Sequence, residues 1–262
     1  MISKFTHLNL NTVYAVGDIH GEFINFFYSL KNGYNDCVVI VAGDCGFGFN
    51  KFIYYCDLFN KYNEMLSKNN IYVYFIRGNH DDPSYFEEEK IKYERIKCVP
   101  DYSIIQVGDK NILCVGGGIS VDRIWRKQEE YKINKYKKNK RHLYWQNEAP
   151  FFSETKLNEI LKSNININCI ISHTSPHFAF PNDVLKHEIE SWFKLDDKLL
   201  KDLTQERKTL TEIYDFLTKN NQTLDTWVYG HFHKYNEDEI SGVLFIALDE
   251  NHIKKIIPTV IK

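Results

Sequence analysis

The chain has 262 residues, of which 26% are charged and 43% hydrophobic, a size that suits one large domain, or two at most, with a sizeable core. Its formal net charge of −2 excludes overall basicity as a signal for nucleic-acid binding. Because no apolar run approaches the roughly 20 residues of a membrane span and the N-terminus lacks a signal-peptide pattern, we expect a cytoplasmic protein with no membrane partner.

Strand-like and helix-like segments alternate through the first third of the chain. Apolar, β-branched or aromatic runs at 13–16, 37–42 and 71–76 are typical of buried strands. Between them, aromatic and leucine side chains recur at helical spacing, as in 23–30 and 52–66. This alternation predicts an α/β fold in which helices cover a sheet.

Consecutive strand-like runs later in the chain indicate antiparallel additions and hence a mixed sheet. Residues 103–107 and 111–116 predict a hairpin with its turn at Gly108-Asp109. Residues 243–248 and 253–257 predict a second pair of strands. Between these pairs, Thr209-Leu210-Thr211-Glu212 has the pattern of a capping box and predicts that a helix begins there.

The chain shows no linker, repeat or low-complexity tract that would divide it. We therefore expect a single domain over 1–262. Two segments, 120–150 and 181–208, fit the alternation poorly. Long connections of this kind are often functional, so both segments are candidate lids or insertions over a site.

Five short polar clusters follow strand-like runs and contain half of the ten histidines. A mixed set of imidazole nitrogens with carboxylate and amide oxygens favours Mn, Fe, Zn, Co or Ni over Ca. Alone, a Gly-Asp pair is commonly a turn, and a buried histidine is commonly a hydrogen-bonded core residue. Seven ligand-type residues in this order predict a metal centre instead. The clusters are Gly17-Asp18-Ile19-His20-Gly21, Gly43-Asp44, Gly78-Asn79-His80-Asp81, Ser172-His173 and Gly230-His231-Phe232-His233.

The ordered set GDIHG, GD, GNHD, SH and GHFH resembles the calcineurin-like metallophosphoesterase superfamily and spans Asp18 to His233. The resemblance implies a four-layer α/β fold, in which two mixed β-sheets pack face to face and are flanked by helices. It also implies a site at the carboxyl ends of the strands, where a metal-bridging hydroxide attacks a phosphate ester directly. Two divalent ions and a hydroxide between two carboxylates would carry a net positive charge that suits an anionic substrate.

The resemblance also implies a role for each ligand-type residue. Two divalent ions, with Mn, Fe or Zn favoured, would share Asp44 as a bridge. His80 would not bind metal but would stabilise or protonate the leaving group, with Asp81 orienting its imidazole. The first ion would be held by Asp18, His20, Asp44 and His233, and the second by Asp44, Asn79, His173 and His231.

The second cluster departs from the protein Ser/Thr phosphatases of the superfamily, which carry GDxVDRG where this chain has GDCGFGF. A specialised phosphoprotein phosphatase is therefore in doubt, and another cation must bind the substrate's phosphate. Arg123 and Arg126 follow the glycine-rich loop at 116–118, which we expect to pass close to the site. We predict both arginines, with Asn79, as substrate contacts. The alternative is a structural turn with solvated arginines.

Residues 126–142 carry many lysines and arginines interleaved with aromatic side chains. Such a segment could bind nucleic acid through phosphate contacts and base stacking, or it could be a solvated face. Three functions stay open. A phosphomonoesterase acting on a phosphoprotein, nucleotide or small metabolite is slightly favoured over a phosphodiesterase or nuclease acting on cyclic nucleotides or nucleic acid. A non-catalytic binding scaffold is disfavoured because every ligand position is filled.

Overall fold

The protein is described here from a computed structural model, which covers residues 2–88, 90–91, 93–136, 141–181 and 186–257. Within these ranges the chain forms twelve strands and seven α-helices. The strands are β1 Lys4–His7, β2 Val13–Val16, β3 Cys37–Val41, β4 Ile71–Phe75, β5 Ile96–Cys98, β6 Ser103–Val107, β7 Lys110–Val115, β8 Cys169–Ser172, β9 Thr226–Tyr229, β10 Asn236–Ile240, β11 Val243–Ala247 and β12 Ile253–Ile257. The helices are α1 Phe23–Gly33, α2 Phe52–Lys68, α3 Ser84–Glu87, α4 Arg123–Tyr136, α5 Glu154–Lys162, α6 Lys186–Phe193 and α7 Leu199–Lys219.

The described strands form two mixed sheets. The seven-stranded sheet has the order β1-β6-β7-β8-β9-β11-β10, and the five-stranded sheet has the order β12-β2-β3-β4-β5. Strands β2, β3, β4 and β5 run parallel, as do β7, β8, β9 and β11, while β12, β6 and β10 supply antiparallel pairings. The prediction of mixed sheets is confirmed.

Alternation of side chains along the strands produces four layers. In β3, Val38 and Ile40 face the other sheet, whereas Val39 and Val41 face α1 and α2, because successive side chains point to opposite faces of a strand. On the far side, α5 and α7 pack on the outer face of the seven-stranded sheet, around Trp227. The order of helices, sheet, sheet and helices is the predicted one. It also explains why the strand sequences are apolar on both faces.

The two predicted strand pairs have different outcomes. The hairpin of β6 and β7 is confirmed. The pairing of 243–248 with 253–257 is wrong, because β11 pairs with β9 and β10, while β12 crosses to the other sheet and pairs with β2. The true hairpin partner, β10, was missed because its sequence is polar and its side chains are largely exposed, so it lacks the apolar signature of a strand.

The predicted helix start at Thr209 is also wrong. Helix α7 begins at Leu199, and the Thr209 hydroxyl donates to the Gln205 carbonyl within a continuous helix of 21 residues. Leu199 and Leu203 extend the buried face by two turns and pack against Ile119 of the glycine-rich loop. Burial therefore outweighs the local capping pattern. Part of the segment 181–208 thus packs behind this loop, and residues 182–185 lie outside the described ranges.

Candidate metal centre

The predicted ligands lie at the carboxyl ends of five strands. Asp18, Asp44 and Asn79 follow β2, β3 and β4, while His173 and His231 follow β8 and β9. Each group of strands is parallel, so its carboxyl ends lie at one edge of its sheet. Because the two sheets pack face to face, these edges meet and the polar clusters converge.

Among the described residues, no helix is both long and apolar enough to cross a bilayer.

One group of ligand atoms surrounds Asp18. The Asp18 Oδ2 atom lies 3.1 Å from His233 Nε2 and 3.8 Å from His20 Nε2, and the two imidazole nitrogens are 3.2 Å apart. The main-chain N–H of His231 donates to Asp18 Oδ1 at 3.0 Å and so orients the carboxylate. Asp18, His20 and His233 can therefore present one ligand atom each to a single ion.

A second group surrounds His173. Its Nε2 atom lies 2.8 Å from Asn79 Oδ1 and 3.3 Å from Asp44 Oδ1, and its ring packs edge-on against the ring of His231, with centroids 4.9 Å apart. Asp44 also has a carboxylate oxygen within 4.8 Å of ligand atoms of Asp18 and His20. It therefore lies between the two groups, where a bridging carboxylate would be needed.

The hydrogen-bond partners of the two His173 ring nitrogens show whether this set of ligand atoms suits a cation. His173 Nδ1 lies 2.7 Å from the Ala42 carbonyl, which can only accept, so Nδ1 carries the proton. In a neutral ring, Nε2 then presents a lone pair to Asn79 Oδ1 and Asp44 Oδ1, which present lone pairs in return. Three converging acceptors need a cation among them. Without metal that cation is a proton on Nε2, because Asp44 and Asp18 raise the pKa of His173 against the effect of burial. The residues present therefore fit a divalent metal.

The electrostatics hold two of the ligands, Asp44 and His231, in the protonation states that bind metal, whereas neighbouring carboxylates raise the pKa values of His173 and His233. Burial alone would raise the pKa of Asp44, but the imidazoles of His80 and His173 hold it well below its usual range. Burial and the neighbouring His173 hold the pKa of His231 well below that of a free histidine. An ionised Asp44 and a neutral His231 are the ligand forms of these groups.

The backbone around the ligands is unusual. His20, Asp44, His231 and His233 have φ values of 42°, 44°, 69° and 46°. Non-glycine residues rarely adopt this left-handed conformation, which costs on the order of 1 kcal/mol each and is found most often at functional sites. The conformation turns the chain sharply after each strand, so that alternate side chains face the same centre.

His80 lies beside the second group, with Nδ1 3.4 Å from Asp44 Oδ2 and its main-chain N–H donating to Asp44 Oδ1 at 2.8 Å. Burial lowers its pKa, and Asp44 opposes that shift. On distance alone, His80 could also join His20 and Asp44 around one ion. Its role as a proton donor therefore stays a prediction.

The predicted role of Asp81 is corrected by the structure. Its carboxylate accepts four main-chain hydrogen bonds of 2.7–3.0 Å, and the carboxylate beside the His80 ring is that of Asp44. Burial and the charge of Asp44 raise the pKa of Asp81 to about 6, against the pull of these N–H groups. Asp81 thus ties the loop after β3 to the loop after β4. The donors belong to Cys45, Gly46, Phe47 and Gly78.

The two predicted phosphate-binding arginines lie in different surroundings. The Arg123 guanidinium is buried and bonded to Asp196 and Asp202, so the expectation that it contacts substrate is corrected. Arg126 pairs with Asp122 at 2.7 Å, and its charge adds to burial in lowering the pKa of His80. A contact between Arg126 and substrate stays a prediction.

The glycine-rich loop passes close to the centre, as predicted. A Cβ atom on Gly118 would lie 3.1 Å from Asn79 Oδ1. Two buried acids that sequence reasoning missed hold the next two residues: Glu206 accepts from the Ile119 N–H, and Glu148 accepts from both donors of Ser120. Burial raises the pKa of Glu206 to about 7 and that of Glu148 to about 8. An acid at an apolar position of a helix, as at Glu206 in α7, is the signal that could have found one of them.

The basic segment 126–142 is only partly described, since residues 137–140 lie outside the described ranges. Helix α4 exposes Trp125 and Tyr131, while Lys127 lies over the Tyr144 ring and Lys132 pairs with Glu129. These contacts engage two of the segment's cations and leave aromatic rings of α4 at the surface.

Comparison with known proteins identifies the family. The profile of the calcineurin-like phosphoesterase family matches residues 12–235, and the chain belongs to this family. No curated protein sequence is similar enough to count as a relative.

Solved structures are similar in fold at low sequence identity. One that is 11% identical covers 94% of this chain and 98% of its own length, with a TM-score of 0.52. The phosphopantetheinyl hydrolase of Mycobacterium tuberculosis is 14% identical over 95% of this chain and 96% of its own, with a TM-score of 0.44. A putative 5′-nucleotidase from Staphylococcus aureus, in complex with alpha-ketoglutarate, is 15% identical over 93% of this chain and 50% of its own, with a TM-score of 0.47.

Proposed function

We propose that the protein is a metal-dependent phosphoester hydrolase with a dinuclear centre, and that phosphomonoesters are its slightly preferred substrates. The observation that carries the proposal is the convergence of lone pairs from His173, Asn79 and Asp44, next to a second group around Asp18. Membership of the calcineurin-like phosphoesterase family supports hydrolysis at phosphorus.

Each group would hold one divalent ion, with Mn, Fe or Zn favoured and Asp44 shared between them. Bound there, two such ions would activate water and neutralise charge on the phosphate oxygens. The chain's own groups would do the rest. Asp44 lies beside Nδ1 of His80, which leaves Nε2 of that ring to give a proton to the leaving-group oxygen. The guanidinium of Arg126 would pair with a phosphate oxygen.

A phosphodiester or a nucleic-acid strand is the alternative substrate. The exposed rings of Trp125 and Tyr131 lie on the same helix as Arg126, so a longer substrate could stack on them. A monoester needs only the centre and one cation beside it, which is the simpler requirement and the reason for the preference.

The test is hydrolysis of para-nitrophenyl phosphate and bis-para-nitrophenyl phosphate by protein reconstituted with Mn²⁺. The control is Asp44→Asn, which should weaken both metal sites together because one carboxylate serves both. Faster cleavage of the monoester supports the preferred function, and faster cleavage of the diester supports the alternative. Bound metal without cleavage of either compound, in the wild type, would contradict both and favour the binding scaffold.

A further inference from the structure

A buried chain of hydrogen bonds runs from the metal centre to Glu148. Asn79 Nδ2 donates to Ser120 Oγ at 2.9 Å, and Ser120 Oγ donates to Glu148 Oε2 at 2.6 Å. The other carboxylate oxygen, Oε1, accepts the Ser120 main-chain N–H at 3.1 Å. The exposed fractions of Asn79, Ser120 and Glu148 are only 3%, 2% and 2%. Water therefore does not compete for these groups.

The protons in this chain can be assigned for the state in which Glu148 is ionised, above its pKa of about 8. An ionised carboxylate only accepts hydrogen bonds, so the single hydroxyl proton of Ser120 then points at Glu148. The Ser120 oxygen then offers only lone pairs to Asn79, and the Asn79 amide must meet it with its NH₂ group. The Asn79 oxygen is consequently turned the other way, where it lies 2.8 Å from His173 Nε2. A flipped amide would present its NH₂ group to the metal centre.

Glu148 is itself held in place by Arg77, which follows strand β4. Its carbonyl accepts from Arg77 Nη1 at 2.7 Å and from the Gly118 N–H at 3.0 Å. Arg77 also donates to the carbonyls of Asn147 and Ala149, and it precedes Asn79 by two residues. The segment that carries Glu148 is thus fixed relative to the asparagine whose amide it orients.

We propose that Ser120 and Glu148 are positioning residues that lock the amide orientation of Asn79, and thereby set the affinity of the second site for a divalent cation. The inference rests on the proposed metal centre. It adds to that centre two residues that do not touch the metal.

The first test is the Mn²⁺ affinity of Ser120→Ala and Ser120→Thr at pH 9, where Glu148 is ionised, measured by the electron paramagnetic resonance signal of free Mn²⁺. Alanine removes the Ser120 hydroxyl that accepts from the Asn79 NH₂ group, so we expect the ion of the second site to lose 10–100-fold in affinity. Threonine keeps the hydroxyl and should restore binding to within a few-fold. Glu148→Gln places a donor beside Ser120, frees the hydroxyl proton for Asn79, and should reproduce the loss.

The second test repeats Ser120→Ala in an Asn79→Asp background. A carboxylate has two equivalent oxygens, so its orientation needs no lock, and the loss should shrink below twofold. A merely structural role of Ser120 would cost the same affinity in both backgrounds. If Asn79→Asp itself abolishes Mn²⁺ binding at the second site, the inference is tested by Ser120→Thr, which should bind Mn²⁺ like wild type, and by Glu148→Gln, which should not.

Unchanged Mn²⁺ affinity in both Ser120→Ala and Glu148→Gln would overturn the inference, as would a full loss that persists in the Asn79→Asp background. Because the readout is metal binding, it is independent of turnover. A protein that binds Mn²⁺ through this lock but cleaves no phosphate ester would contradict the proposed function and support the inference. A wild-type protein that binds no Mn²⁺ would overturn both.

Discussion

At the scale of single residues, Gly230 shows how closely the main chain approaches a ligand. A Cβ atom there would lie 2.2 Å from Asp18 Oδ1 and 3.3 Å from the Ala42 carbonyl oxygen. Real Cβ atoms do not come so near, so a side chain at this position would displace the Asp18 carboxylate from His20 and His233.

We therefore expect Gly230→Ala to lower the Mn²⁺ affinity of the first site by at least about tenfold, the effect of displacing a group that orients a ligand. Equilibrium binding of Mn²⁺ measures this. Gly33→Ala is the matched control, since a Cβ atom at Gly33 meets nothing within 4 Å. Equal affinities in the two variants would mean that Asp18 is not a ligand.

His80 allows a second test at the same scale. Its imidazole lies beside Asp44, and we predict that it donates a proton to the leaving group. His80→Asn should then remove general acid catalysis, which contributes about 10²–10⁴-fold. We expect turnover of para-nitrophenyl phosphate to fall within that range while bound metal, measured by mass spectrometry, stays near the wild-type amount. Loss of an ion together with activity would make His80 a ligand.

At the scale of elements, the first turn of α4 joins the metal centre to α7. Arg123 is buried against Asp196 and Asp202, whereas Arg126 pairs with Asp122 beside His80. Two arginines three residues apart thus have different tasks. Arg123 holds the helix in place, and the charge of Arg126 acts on His80.

Arg123→Gln should lower the free energy of unfolding by about 3 kcal/mol, because it leaves the buried Asp196 without its ion-pair partner. Urea unfolding measures this loss. Arg126→Gln should change stability little but raise KM for a phosphate ester. If Arg123→Gln instead raised KM without loss of stability, Arg123 would contact substrate after all.

At the scale of the whole molecule, several buried acids make stability depend on pH. Burial raises the pKa of Glu206 to about 7, whereas an unfolded glutamate titrates near 4.5. The folded state therefore binds the proton more tightly. This contribution to stability is complete below the unfolded pKa and is lost as pH rises through about 7.

Glu206→Gln should flatten this dependence. The Thr174 hydroxyl, which donates to Glu206, can rotate to accept from an amide instead, so the variant keeps its contacts. Between pH 5 and pH 8, metal-free wild type should lose about 2.5 kcal/mol more unfolding free energy than the variant, since each pKa unit is worth 1.36 kcal/mol and most of the shift lies within this window. Urea unfolding with a chelator present measures the difference. If the unfolding free energies of the two proteins changed in parallel between pH 5 and pH 8, Glu206 would be ionised in the folded state over that whole range.

Local patterns were enough for the buried strands and failed at elements defined by distant contacts. The apolar runs of β2, β3 and β4 need no partner to be recognised, because both their faces are buried. By contrast, β10 is polar and depends on pairing with β11, and α7 extends beyond its capping pattern because Leu199 and Leu203 are buried.

The sequence by itself determined the family, the layered fold and the set of candidate ligands, because strand ends and short polar clusters are local features that recur in a set order. Only the tertiary structure decided what surrounds those ligands. In the folded chain, Asp81 accepts hydrogen bonds from the main chain. Arg123 pairs with Asp196, 73 residues away in sequence, and Ser120 accepts from Asn79, 41 residues away. A buried polar group must find a partner wherever the fold brings one, and the identity of that partner is not written near it in the chain.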